Sequence, residues 1–195
     1  MGRRGVREEI VEAALERFHV QGYNAAGVKV ITDAAGVPKG SFYNHFDSKE
    51  ALAVVALQRY GDRHPVQELA GGDGEPLARL RAHFESLRDY VVRHEFTRGC
   101  LMGNFGAEIA DHSDVIRDAV RQCLAQWTEA IAVVLTEARE AGALRAGLDP
   151  RATAGFLVDA WEGSLIRARA DRSADAFESF FALVFGTLLP QGGAP

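Results

Sequence analysis

Between residues 39 and 49 the chain reads KGSFYNHFDSK, a stretch dense in groups that form hydrogen bonds and ion pairs. Ser41, Asn44 and His45 carry donors and acceptors of the kind that pair with the edges of nucleic-acid bases. Lys39, Tyr43 and Lys49 add two ammonium groups and a phenol, which suit phosphate oxygens. Among them, Phe42 and Phe46 stand four residues apart, which puts both rings on one face of a helix. On that wheel Gly40, Ser41, Asn44 and His45 lie opposite the apolar face, and Lys39 and Tyr43 flank it. Glycine inside a helix costs about 1 kcal/mol relative to alanine, and so short a helix is marginal alone. The segment therefore needs neighbours that grip its phenylalanines.

The elements on either side meet that need. Apolar spacing predicts a helix from about Val6 to His19, with Ile10, Ala14 and Phe18 on one face and Gly22 as its stop. A second helix is expected over Val28–Ala35, burying Val28, Ile31 and Ala35. Gly36-Val37 makes the turn, Pro38 stands at the start of the next helix, and that helix runs over Lys39–Phe46. Asp47 and Glu50 form a D-x-x-E start for a fourth helix carrying Leu52, Val55 and Leu57 towards Tyr60. Two short helices joined by a glycine-containing turn make a helix-turn-helix unit, whose second helix enters the DNA major groove. In that setting the missing side chain of Gly40 admits a close backbone approach. A small helical hairpin with an ordinary polar surface fits the same residues.

Charge is unevenly spread. The chain of 195 residues has a net charge of −5, yet all its lysines, Lys29, Lys39 and Lys49, fall in the first fifty residues together with Arg3, Arg4 and Arg7. Acidic residues balance them there, so the excess negative charge belongs to the remainder. An acidic total argues against indiscriminate nucleic-acid binding but leaves room for a local phosphate-binding face. With 47% apolar residues the chain can bury a sizeable core. Two cysteines, Cys100 and Cys123, make no disulfide framework, no charged-then-apolar leader opens the chain, and no apolar run spans a bilayer. A cytoplasmic protein without membrane contact is expected.

Beyond the first sixty residues the pattern stays helical. GGDG at 71–74 reads as a loop, and Pro76 opens a helix through Leu80, Phe84, Leu87 and Val91. A short helical segment follows TRGCLMGN, and a long helix is expected from about Ser113 to Ala141. Asp149-Pro150 starts the next helix and Ser173 caps the last. The expected architecture is all-α.

The stretch GYNAAGVKVITDAAGVPKGSFYNHFDSKEAL resembles the DNA-binding head of the TetR family of transcriptional regulators. The resemblance implies a three-helix head at 1–61, with its motif at about 27–46, and a helical effector-binding and dimerisation domain at 62–195. It implies a one-component regulator, usually a repressor, whose homodimer holds a palindromic operator of double-stranded DNA until a small-molecule or electrophilic effector releases it. By motif position Lys39, Tyr43, His45 and Lys49 fall where members of the family contact DNA. Gly27 stands where a capping Thr or Ser is usual, and Pro38 replaces a usual Ser or Thr. RGCLMGNFGAE at 98–108 and EGSLIRARADRS at 162–173 resemble a subfamily near the N-ethylmaleimide-reductase repressor, whose members sense electrophiles or oxidants through a cysteine. Arg169 stands where that subfamily often has lysine.

The remaining candidates carry two readings each. Cys100, Met102, Phe105, Trp127 and Trp161 are candidate effector contacts, while aromatic residues at helical spacing also serve as core and a buried thiol as a small hydrophobe. Phe156, Trp161, Phe177, Phe181, Val184, Phe185 and Leu188 form dense stripes on the last two helices, fit for a homodimer interface or for the protomer's interior. No metal-ligand spacing, cofactor motif or nucleophile–base pair is recognisable. A helical small-molecule-binding dimer without operator recognition is the alternative function, and DNA binding separates the two.

Overall fold

The computed structural model describes residues 5–63, 66–69 and 72–191, with only the backbone of Gln67 and Glu68. Arg3, Arg4 and the Gly71 of the expected loop lie outside the described residues. The described chain is helical: α1 Val6–Ala25, α2 Val28–Ala34, α3 Lys39–Tyr43, α4 Lys49–Arg63, a 3-10 turn Val66–Leu69, α5 Pro76–Arg93, α6 Leu101–Glu108, α7 Asp114–Glu140, α8 Pro150–Asp171 and α9 Asp175–Leu183. No described helix is long and apolar enough to cross a membrane.

Two compact units emerge: Met1–His64 with Cys100–Cys123, and Pro65–Gly99 with Leu124–Pro195. The segment Cys100–Cys123, which the sequence boundary near residue 61 leaves with the larger domain, thus packs with the head. Its reason is aromatic. Phe105 of α6 sets its ring edge-on to Phe18 (5.3 Å) and to Tyr23 (5.7 Å) of α1.

In the first unit α1 packs on α4, α2 and α6. Ile10, Val11, Ala14, Leu15 and Phe18 are its buried stripe, met by Leu52, Ala53, Ala56 and Leu57 of α4. The Arg59 guanidinium ties α4 to Glu8 and to Glu12 of α1, the latter at 2.9 Å. The helix continues past the expected end at His19, but Gly22 breaks its path with φ +79°, a conformation that favours glycine. The Asp47/Glu50 capping box does not form. Ser48 Oγ accepts the Ala51 N–H (3.0 Å), and Glu50 instead accepts the Ser113 hydroxyl.

In the second unit Phe84 of α5 sits among rings, with Phe180 at 5.0 Å, Trp161 at 5.1 Å and Trp127 at 6.2 Å. Trp161 stacks on Phe177 at 5.0 Å. Both helices that begin with proline are capped from the preceding acid: Glu75 accepts the Leu77 and Ala78 N–H groups, and Asp149 accepts the Ala152 N–H at 2.7 Å. Ser173 accepts the Asp175 N–H (3.1 Å), yet the residue before α9 is Ala174, one place later than the expected cap. Past Leu183 the helix widens into a π turn, Val184–Leu188, and the tail returns to the α7–α8 loop through Gln191 N–H to the Ala143 carbonyl (3.0 Å).

Candidate nucleic-acid interface

The loop between α2 and α3 closes α2 with a Schellman arrangement. The Val37 N–H reaches the Thr32 carbonyl (3.0 Å), the Gly36 N–H reaches Asp33 (3.1 Å), and Gly36 takes φ +68°. Pro38, extended at φ −61°, ψ 142°, then precedes α3, and its carbonyl accepts the Ser41 N–H at 2.9 Å. Gly27, before α2, offers no side-chain cap.

α3 is shorter than the Lys39–Phe46 helix expected, ending at Tyr43 with Asn44 as its C-cap. After it the chain turns tightly, the His45 and Phe46 N–H groups both going to the Phe42 carbonyl. Both phenylalanines are nevertheless buried, their rings 5.6 Å apart. Fully burying one such side chain stabilises by about 1.5–3 kcal/mol, more than the cost of a helical glycine. On the outer side Lys39, Gly40, Asn44 and His45 are exposed and Ser41 half-buried. Tyr43 is 58% exposed. A Cβ at Gly40 would meet open space. The result is a compact anchored helix with a polar outer row.

Lys49 is placed differently from the other six. It is half-buried, its Nζ donates to the Tyr23 carbonyl (2.9 Å), and it lies 4.0 Å from the centre of the Tyr23 ring. Burial pushes its ammonium below the usual lysine range, opposed by the negative charge of Glu108. One of its three donors is spent on Tyr23, which leaves two at the N-terminal end of α4.

The five candidate effector residues are divided. Cys100 (buried, the N-cap of α6), Met102 (half-buried) and Phe105 (buried) belong to the first unit, and the buried Trp127 and Trp161 to the second. They therefore do not line one pocket within either unit. In the second unit Trp127 Nε1 donates to His83 Nε2 at 3.0 Å, a polar contact beside the aromatic interior.

The dimer candidates differ in exposure. Trp161, Phe177, Phe181 and Val184 are buried within the protomer, and Phe185 and Leu188 are half-buried. Aromatic packing around Phe84 claims that stripe. Of the seven, Phe156 faces outward at 56% exposure, with Ile166 at 66% and Leu183 at 65%. Sequence reasoning missed Ile166 and Leu183; the signal was a large aliphatic residue off the aromatic stripe. It missed Glu108 too, whose partners lie 84 and 85 residues away.

An anchored short helix, a glycine turn and an exposed polar row define a helix-turn-helix protein of the DNA-binding class. The sequence pattern described as "Bacterial regulatory proteins, tetR family" matches residues 10–56, and that described as "Tetracyclin repressor-like, C-terminal domain" matches 76–184. The HTH-type transcriptional repressor DhaR of Mycobacterium sp. (strain GP1) is 35% identical over 194 residues, covering 98% of this chain and 96% of its own. A regulatory protein TetR from Rhodobacter sphaeroides superposes with a TM-score of 0.86 at 34% identity, covering 94% of this chain and 98% of that one. The reduced form of Escherichia coli NemR gives 0.82 at 26% identity, covering 97% and 100%. The chain belongs to the TetR family. It is a DNA-binding transcriptional repressor regulated by a small-molecule effector.

Tyr23, at the centre of the Lys49 contacts, supplies a measurable signature. Burial, helped by the negative charge of Glu50, pushes its phenol up to about 12. An unfolded tyrosine ionises near 10, so the folded state keeps its proton longer, and the stability linked to Tyr23 is lost as pH rises from about 10 to about 12. Followed by tyrosinate absorbance, one of the four tyrosines should ionise near 12. Tyr23→Phe should remove that late component, and an unchanged titration would refute the assignment.

Proposed function

We propose that the chain acts in the cytoplasm as a homodimer that sets α3 of each protomer into the major groove of a palindromic operator. The observation that carries this is the row of exposed Lys39, Gly40, Tyr43, Asn44 and His45 with half-buried Ser41, over buried Phe42 and Phe46. Lys39, Tyr43 and Lys49 meet phosphates. Ser41, Asn44 and His45 read base edges, and Gly40 admits the DNA backbone. Gly27 and Pro38 lack a hydroxyl, Pro38 has no N–H, and the Gly27 N–H goes to the Ala25 carbonyl (3.0 Å), so neither residue donates to phosphate.

Operator binding is tested on a site selected from random DNA by the wild-type chain. Tyr43→Ala and Lys39→Ala should weaken all sequences alike, whereas Asn44→Ala and His45→Ala should relax preference at one or two base pairs, by about 1–3 kcal/mol each. Four variants that bind like wild type would remove α3 from recognition.

The dimer is proposed to form through the outward side of α8 and α9, where Phe156, Ile166 and Leu183 are exposed and no atom outside the local backbone crowds Gly155 or Gly163. Leu183→Glu should shift micromolar sedimentation from dimer to monomer while leaving the helical signal intact. Phe177→Glu should instead unfold the second unit, because it puts a charge beside Trp161 in the apolar interior. A wild-type chain that sediments as a monomer would end the dimer reading.

Two effector chemistries are distinguishable: covalent attack at Cys100, at the N-terminal end of α6, and reversible binding beside the Trp127–His83 pair. Cys100 sensing requires N-ethylmaleimide to release operator from wild type and Cys123→Ser but not from Cys100→Ser. Equal release from all three, or from none, leaves the reversible site.

A further inference from the structure

Glu108 ends α6 and takes no part in the outward row of α3 or in the aromatic interior of the second unit. Its carboxylate accepts two backbone N–H groups of α1, Tyr23 at Oε2 (2.8 Å) and Asn24 at Oε1 (2.7 Å). Those donors need an outside acceptor because α1 is broken immediately before them, at Gly22. Gly22 also makes the seat. A Cβ there would stand 2.6 Å from Glu108 Oε2, on a backbone already at φ +79°. Glycine and carboxylate are therefore matched by both space and conformation.

The turn that Glu108 clamps is the turn that holds Lys49. The Tyr23 carbonyl accepts the Lys49 ammonium, the Tyr23 ring lies beneath it, and the Glu108 charge favours its protonated form. Next along α4, Glu50 accepts the Ser113 hydroxyl, and that same oxygen accepts the Ile116 N–H at 3.3 Å in the first turn of α7. Three separate stretches of the first unit thus meet around one tyrosine: the break in α1, the start of α4 and the end of α6.

We propose that Glu108 is a positioning residue for operator binding: by clamping the Tyr23–Asn24 turn it holds the Lys49 ammonium at the N-terminal end of α4, ready for a DNA phosphate. This rests on the reading above that Lys49 meets phosphate. Glu108 itself touches no DNA. Its loss acts only through the lysine, which predicts a signature that general weakening of the fold does not produce.

The test measures operator affinity of the full chain by fluorescence anisotropy from low to high salt, on the selected site. Lys49→Ala should reduce the slope of log affinity against log salt by about one. Glu108→Gln, which keeps the shape and removes the charge, should reduce it by the same amount and weaken binding roughly tenfold at physiological salt. The double variant should bind within about twofold of Lys49→Ala alone, because the second change has nothing left to position. Gly22→Ala keeps the carboxylate but fills its seat, so it should reproduce the slope loss and decides the matter if Glu108→Gln does not fold. A wild-type slope in Glu108→Gln, or a double variant carrying the product of both losses, overturns the proposal. If Lys49→Ala keeps the wild-type slope, the phosphate reading falls and the positioning role falls with it.

Discussion

A helix of five residues closes too few internal hydrogen bonds to persist by itself, so α3 exists because Phe42 and Phe46 are buried. Everything else in the first unit follows from supplying that grip. α2 lies against α3 through a glycine turn, α1 packs on both, and α4 backs α1, tied across by Arg59 to Glu8 and Glu12. Because the apolar half of α3 is committed inward, its polar half has only solvent to face. An outer row of small and hydrogen-bonding residues costs the fold little, and it is what a groove reader requires.

The second unit works by another rule. Its interior is a cluster of rings centred on Phe84, with Trp161 and Phe177 stacked and Trp127 turned to bond His83. Aromatic pairs of this kind have preferred geometries rather than a smooth range of contacts.

Much of this was legible from spacing. The Gly36 turn and the proline-started helices α5 and α8 follow from local rules and appear where those rules put them, and the i, i+4 phenylalanines are both buried although α3 ends at Tyr43, before Phe46. Local rules failed where a distant group offered a better partner. Glu50 fits a capping box in sequence, but Ser113 takes its carboxylate and Ser48 does the capping. The stripe of Phe177, Phe181 and Val184 told which side of the last helix is apolar without telling what covers it: Trp161 of α8 packs on Phe177 and Phe181, and Arg81 and Arg88 of α5 lie over Phe181. Glu108 gave no local sign, because the break it fills lies more than eighty residues earlier.

The placement of the lysines has a consequence for chemical control. Lys29, Lys39 and Lys49 are the only side-chain amines, and all three belong to the first unit. They are not equivalent: Lys29 is paired with Asp33, Lys39 is exposed, and Lys49 is half-buried under a depressed pKa. An acylating reagent or acetyl-transferring enzyme acting on lysine side chains would thus leave the second unit untouched. Lys29 and Lys39 are both exposed targets, and Lys39 is the first residue of α3. Acylation there would erase a positive charge from the helix proposed to enter the groove.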